Sequence, residues 1–324
     1  MRNFAYLKAG SITEAVSSLG SDWNNSAVMA GGTDLIGEMK EYLFSPEMVV
    51  DVREINDLQF IQDGGQSITI GAMTSLKAVA SDRNVMEKLP ALSAAAGAVA
   101  SPQIRNIATI GGNICQRPRC WYYRDSEIPC LRKGGQRCYA IVGERKFHAI
   151  LGGGPCYIVH PSDTAVALMA YDTRFTVQNG NGEREVPIAD FFVLPEQNPN
   201  RENILEPGDI LTKLTIPVPD SSTRSRFIKV QEREAWDFAV ASTAVRLTLR
   251  GGRCSNARVI LGAAAPIPWR SEQAENVLNG NSVTAEIAEN AANAALTGRR
   301  TFPDNSYKID LLTNIVRQTI LDLV

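Results

Sequence analysis

Five of the six cysteines in this chain fall between Cys115 and Cys156, spaced Cys115-x4-Cys120-x9-Cys130-x7-Cys138-x17-Cys156. A secreted disulfide scaffold spreads its cysteines along a shorter chain, so thiols crowded into one segment point to a metal or cluster site. Structural zinc normally takes a C-x2-4-C knuckle in each half of its site, and only the first gap approaches that. Long, irregular gaps suit a 4Fe–4S cube, whose corners are reached by separate loops. Charge points the same way. Between Cys115 and Phe147 there are eight basic residues against Asp125, Glu127 and Glu144, a formal 8 − 3 = +5. A cube held by four thiolates is an anion and is favoured there. The competing reading is ordinary buried thiols beside a solvated basic face. Five cysteines leave one over, and spacing does not say which.

Two glycine turns carry the second chemical signal. Gly31-Gly32-Thr33-Asp34 follows the apolar Ala27 to Ala30, and Thr109-Ile110-Gly111-Gly112-Asn113 precedes the cysteines. Glycines there let backbone N–H groups approach a ligand closely, so a diphosphate could be bound by successive amides and the start of the following helix. Neither turn fits G-x-G-x-x-G or G-x-x-x-x-G-K-[ST], which disfavours a Rossmann site and a P-loop. Either turn alone could equally be a tight strand–helix turn. His148 and His160 flank Cys156 and could be zinc ligands or bases, but hydrogen-bonded structural histidines are the expected outcome. No Ser/His/Asp order or carboxylate pair defines a substrate pocket. Trp121-Tyr122-Tyr123 could pack within its loop, on a cluster or on a partner.

The elements that must position these groups alternate helix and strand. Ser11 and Glu14 form a capping-box pattern before a helix to about Leu19. Ala27 to Ala30, Met48 to Asp51 and Ile68 to Ile70 read as strands, Leu35 to Tyr42 as a helix, and Leu89 to Ala100 as a buried Ala-rich helix. The cysteine segment lacks either period. Regular structure is expected again near Cys156, through Ala165 to Tyr171, then strands at Arg174 to Val177 and Ile210 to Ile216. Pro217 to Ser222 is turn-rich and a candidate boundary. Beyond it come strands Phe227 to Gln231, Val240 to Arg250 and Ala257 to Leu261. Helical patterns follow at Ser271 to Leu278, Thr284 to Leu296 and Tyr307 to the end. Cys254 is placed in a polar turn, away from the other thiols.

Bulk properties exclude several classes. A chain of 324 residues suits two or three domains. A net charge of −2 provides no basic field for nucleic acid. No apolar run approaches the ~20 residues of a membrane span. The first ten residues lack the apolar core of a signal peptide, so the cytoplasm is the default compartment, or the periplasm if a partner carries the export signal.

With these pieces in view, the chain resembles the medium, FAD-binding subunits of the xanthine dehydrogenase and carbon monoxide dehydrogenase family. The matching runs are Ala30-Gly-Gly-Thr-Asp-Leu35, Ile70-Gly-Ala-Met-Thr74, Ile104-Arg-Asn-Ile-Ala-Thr-Ile-Gly-Gly-Asn-Ile114, Pro161-Ser-Asp163, Lys229-Val-Gln-Glu-Arg233 with Asp237-Phe238-Ala239, and Gly262-Ala-Ala-Ala-Pro-Ile-Pro-Trp-Arg270. They lie in the family's order along essentially the whole chain. The resemblance implies an α+β fold: a two-part, PCMH-type FAD-binding domain over 1–220 (about 1–57 and 58–220, with an insertion at about 115–156). A small α+β C-terminal domain over 221–324 follows, a three-stranded sheet with helices.

It also implies that Ala30, Gly31, Gly32, Thr33, Asp34 and Leu35, with Thr109, Ile110, Gly111, Gly112 and Asn113, wrap the FAD diphosphate. Single-position matches make Asp163 an acidic residue near the flavin, Leu211 a hydrophobic neighbour of its ring, and Lys229 a basic residue near the site. The cysteine segment resembles an insertion of only some members, among them 4-hydroxybenzoyl-CoA reductases and, more closely, periplasmic-type bacterial aldehyde oxidoreductases. That match makes Cys120, Cys130, Cys138 and Cys156 the ligands of a 4Fe–4S cluster, and Cys115 a buried thiol. The expected function is electron relay. A large subunit holds the molybdenum cofactor and oxidises the substrate, a small subunit holds 2Fe–2S clusters, and FAD in this chain passes electrons to an external acceptor. A heterotrimer, or a dimer of heterotrimers, is the expected assembly. Two alternatives stand beside it: reverse electron flow, as in 4-hydroxybenzoyl-CoA reductase, and a non-redox module binding zinc and a nucleotide.

Overall fold

The computed structural model describes residues 1–324. Its first unit is a small parallel sheet of β1 (Ala5–Lys8), β2 (Ser26–Met29) and β3 (Met48–Asp51) in the order β1-β3-β2, with α1 (Ile12–Ser18) and α2 (Leu35–Lys40) as crossovers. The expected cap is present at α1: the Ser11 hydroxyl accepts from the Glu14 N–H at 3.2 Å, and the Glu14 carboxylate accepts from the Gly10 N–H at 2.8 Å. Val50, Val52 and Ile55 bury a small core against Ala15.

The second unit is a five-stranded antiparallel sheet, order β4-β5-β8-β6-β7, of β4 (Ile61–Asp63), β5 (Ser67–Gly71), β6 (Arg174–Asn179), β7 (Gly182–Pro187) and β8 (Ile210–Pro217). Between β5 and β6 run α3 (Leu76–Ser81), α4 (Arg83–Lys88), α5 (Pro90–Gly97), α6 (Pro102–Ile107), α7 (Ile110–Ile114), α8 (Trp121–Arg124) and α9 (Asp163–Ala170); α10 (Ile188–Phe191) follows β7. Regular structure resumes at Asp163 rather than near Cys156. There the Ser162 hydroxyl caps α9 by accepting from the Ala165 N–H, while 152–162 stay irregular. All eight residues of α9 are buried, because the helix is covered by α5 on one side and by later strands on the other.

The third unit is the antiparallel sheet β12-β11-β10-β9, built from β9 (Thr223–Val230), β10 (Ala241–Arg250), β11 (Arg253–Gly262) and the two-residue β12 (Trp269–Arg270). The three expected strands thus gain a short edge. Helices α11 (Glu272–Leu278), α12 (Ala285–Ala294) and α13 (Lys308–Leu321) cover one face. Phe227, Ala244 and Ile260 join the core of the second unit through the other face. Residues Ala241 to Thr248 are therefore buried without alternation, as a strand covered on both faces must be. Cys254 stands on β11, fully buried, and not in a polar turn.

Candidate functional site

The two glycine turns meet. A side chain at Gly31 would collide with the Ile107 carbonyl at the end of α6, and one at Gly111 would come within 2.8 Å of the Ala72 Cβ. Close chain-to-chain packing is what demands glycine at these two positions. Together the turns line one cleft of about 580 Å³, a volume suited to a cofactor-sized ligand. Ala30 to Leu35, Thr109, Gly111, Gly112 and Leu211 all border it.

The turns are not chemically equivalent. In the second, the N–H groups of Ile110, Gly111, Gly112 and Asn113 are already donated to Thr74 O, Ala72 O, Thr109 Oγ1 and Thr109 O, at 2.9 to 3.1 Å. In the first, no acceptor of the chain takes the N–H of Gly31, Gly32, Thr33, Asp34 or Leu35. Five successive amides, with Gly32 at φ 70°, are thus left without an acceptor, the arrangement by which backbone can bind an anion. The helices that follow have six and five residues, so individual amides and not a macrodipole do this work. Arg117, Arg132, Lys133 and Arg201 border the same cleft. A diphosphate-bearing cofactor such as FAD fits this donor set.

Asp163 and Lys229 do not border this cleft, nor does Asn113 of α7. Lys229 Nζ donates to the Asp163 carboxylate at 2.8 Å and to Ala98 O at 3.0 Å, with both charged side chains buried. Burial pushes the Asp163 carboxyl above its ordinary range, opposed by the Lys229 charge. Asn113 Oδ1 accepts from Ser162 Oγ and Thr164 Oγ1, each at 2.6 Å, and so ties α7 to the start of α9. Asp163 borders a second cavity of about 360 Å³, shared with Cys120, Trp121, His148, His160 and Phe238. The structure therefore brings Leu211 together with the glycine turns, and Asp163 with the cysteine segment. Lys229 reaches the second cavity through Asp163, and Ile110 is fully buried behind its turn.

Four of the five clustered thiols each lie near at least one other of the set. Cys138 and Cys156 are neighbours, and their interaction raises the first pKa and lowers the second, to about 6, with the Arg132 charge assisting. Burial lifts Cys120 to about 11, with the charges of Cys156 and Cys130 adding to it. Cys115 is apart: burial pushes it to about 12, its charged neighbour is Glu202, and it borders the glycine cleft. No three His, Cys, Asp or Glu side chains come close enough to hold a single metal ion in common.

The basic residues of this segment do something other than surround an anion. Arg119 and Arg124 pair with Asp34, the latter at 2.8 Å. Arg117 (3.3 Å) and Arg132 pair with Glu202. Arg145 pairs with Asp304 at 2.8 Å, and Lys146 with Glu232. Six of the eight charges are thus met by carboxylates from outside the segment, so the +5 counted along the sequence is largely neutralised. Their main role is docking. Tyr123 joins them, its hydroxyl donating to the buried Glu38 at 2.6 Å. Tyr122 stacks on Tyr139, whereas Trp121 is half-exposed against Phe147 and His148.

Neither histidine is fully satisfied. His148 Nε2 lies 3.2 Å from Cys120 Sγ while its Nδ1 has no partner; His160 accepts from the Ser162 N–H at 3.3 Å while its Nε2 has none. Burial lowers them to about 4 and about 3. Three structural groups escaped sequence reasoning: Glu38, Glu202 and the fully buried Lys308, whose Nζ donates to Phe147 O (3.0 Å) and Ala263 O (2.7 Å). Isolated charges on ordinary elements carry no local signal. Burial lowers Lys308 to about 7.

Comparison with known proteins agrees with this architecture. Residues 2–219 match the family described as the FAD binding domain in molybdopterin dehydrogenase, and residues 226–322 match the CO dehydrogenase flavoprotein C-terminal domain. The aldehyde oxidoreductase FAD-binding subunit of Escherichia coli (strain K12) is 33% identical over 283 residues, 86% of this chain and 87% of that one. The carbon monoxide dehydrogenase medium chain of Hydrogenophaga pseudoflava is 28% identical over 294 residues, 90% and 86% of the two chains. A solved structure of carbon monoxide dehydrogenase from Hydrogenophaga pseudoflava superposes with a TM-score of 0.77 at 27% identity, covering 99% of this chain and 97% of that one.

Proposed function

Since this chain belongs to the family of FAD-binding subunits of xanthine dehydrogenase and carbon monoxide dehydrogenase-type molybdenum hydroxylases, we propose that it is the electron-relay subunit of an aldehyde oxidoreductase-like complex. In this reading it carries a 4Fe–4S cluster beside its FAD. The partners are a large molybdenum-cofactor subunit and a small 2Fe–2S subunit, and electrons leave for an external acceptor. The observation that carries the reading is the shared wall. The segment that gathers four thiols is ion-paired directly onto the turn that offers five free amides.

Ala30 to Leu35 would donate amides to the diphosphate, and Thr109 to Asn113 would hold that turn in place. Leu211 would line the cleft, and Asp163 with Lys229 would set the charge beside the second cavity. Bound FAD supplies exchange between two-electron and one-electron carriers, while the protein sets its position and access. Cys120, Cys130, Cys138 and Cys156 would hold the cluster. What supports this ligand set is the grouping of the thiols: Cys156 neighbours Cys138, and Cys120 feels the charges of Cys156 and Cys130.

The test is anaerobic purification of the full chain, with iron, zinc and flavin measured per polypeptide beside the visible spectrum. About four irons and one FAD are expected. Serine at Cys120, Cys130, Cys138 or Cys156 should each lose iron, and serine at Cys115 should not. FAD without iron in a cluster-competent host would remove the cluster from this reading. Zinc without flavin would overturn it.

A further inference from the structure

We propose that the cysteine segment conditions the first glycine turn for an anionic ligand, with Arg119 and Arg124 acting as positioning residues that neutralise Asp34 beside the FAD diphosphate. This rests on FAD occupying the larger cleft through the free amides of Gly31 to Leu35.

Asp34 lies within that run of amides. Burial pushes its carboxyl up, but the Arg119 and Arg124 charges and the Arg117 N–H outweigh this and hold it below the usual range, so it is ionised. A bare carboxylate there would repel a diphosphate at short range through a poorly screening medium. In this chain its Oδ1 accepts from Arg119 Nη1 and from Arg124 Nη2 (2.8 Å), and its Oδ2 accepts from the Arg117 N–H at 2.7 Å. Every hydrogen bond to this carboxylate comes from residues 117–124; the rest of the chain offers none. The donors are held in advance. Arg124 Nε donates to Pro118 O at 2.7 Å, and the Arg119 guanidinium lies over the Phe238 ring at 4.8 Å.

Segment docking and diphosphate binding therefore favour each other. A docked segment removes the repulsion, and a bound diphosphate must in turn stabilise the docked segment by the same factor. The device explains why a turn that offers amides to an anion also carries an acid: Asp34 is the anchor of the neighbouring segment, and the two arginines cancel its charge.

The experiment titrates the flavin-free, full-length chain with FAD by fluorescence. Arg119→Gln/Arg124→Gln should bind FAD on the order of 10- to 100-fold more weakly, and Arg119→Lys/Arg124→Lys should lose much less. Adding Asp34→Asn to the double Gln variant should restore most of the affinity, although it rebuilds no clamp. A merely structural role for the arginines predicts no such rescue. The inference fails if the double variant binds as tightly as the unaltered chain, or if the triple variant stays as weak as the double. Should the double variant not fold, hydrogen exchange on the unaltered chain decides. FAD must slow exchange of the Arg117 to Arg124 amides, and unchanged exchange overturns the coupling. An unaltered chain that takes up no FAD would sink the reading of the cleft itself.

Discussion

Glu202 offers a direct measure of how firmly the cysteine segment is held. Its side chain is 2% exposed, that of its partner Arg132 is 1% exposed, and Arg117 sits 3.3 Å from its other oxygen. One carboxylate thus compensates two guanidinium groups, so the two sides of the pair should not respond equally. Glu202→Gln leaves both arginines facing a neutral amide, and breaking a buried pair costs ~3–5 kcal/mol; the upper end, ~4–5 kcal/mol, is expected here. Arg132→Met removes one cation but leaves Glu202 paired with Arg117, and ~2–3 kcal/mol is expected. Local hydrogen exchange reads these losses where they occur, through the Leu131 N–H held by Arg137 O (2.9 Å) and the Val193 N–H held by Glu202 O (3.0 Å). At ~1.4 kcal/mol per tenfold, exchange should quicken roughly 1,000-fold in Glu202→Gln and roughly 50-fold in Arg132→Met. Equal acceleration in the two variants, or a larger one in Arg132→Met, would refute the two-arginine reasoning.

The glycine turns give a contrast. Gly31→Ala drives a methyl into the Ile107 carbonyl and should cost ~2–3 kcal/mol in thermal unfolding together with FAD retention, whereas Gly37→Ala, with open space around its Cβ inside α2, should stabilise by up to ~1 kcal/mol. Lys229→Met leaves Asp163 buried and alone, so its folded pKa rises further above the unfolded value. The variant should lose ~3–5 kcal/mol at neutral pH and regain part of it as pH falls towards 4, because the folded state then binds the extra proton. A deficit independent of pH in parallel melts would contradict this. His160, lowered to about 3 by burial, takes up its proton in the unfolded state first. Its contribution is complete above pH ~6.5 and lost as pH falls from there to about 3, amounting to ~2–3 kcal/mol near pH 4.5. His160→Asn keeps an acceptor for Ser162 N–H and should flatten the acid limb of a stability–pH curve; an unchanged limb would assign the acid sensitivity elsewhere.

Much of the fold was legible because its signals are local. A side-chain cap at Ser11 and the β-branched run at Met48 to Asp51 depend on neighbours a few residues away, and both stand where expected. The edge strands β1, β4 and β7 escaped notice for the complementary reason. An edge strand buries little and carries charge, as Gly182–Pro187 does, so it lacks the alternation that marks a half-buried strand. Likewise Cys254 sits among polar neighbours in sequence but points into the core from β11.

At the site the division is sharper. The sequence by itself determined which residue types are available: two Gly-Gly turns, a crowd of cysteines, and a family pattern running the length of the chain. Tertiary structure alone decided how they are used. Both turns read alike, yet Ala72 and Thr74 occupy amides of the second and leave those of the first free. A charge count along 115–147 gives +5, yet Asp34, Glu38, Glu202, Glu232 and Asp304 arrive from distant elements and cancel most of it. Hydrogen bonds and ion pairs are made across space and saturate on whichever partner the fold delivers, so composition states the supply of donors and charges and only packing states which remain unspoken for.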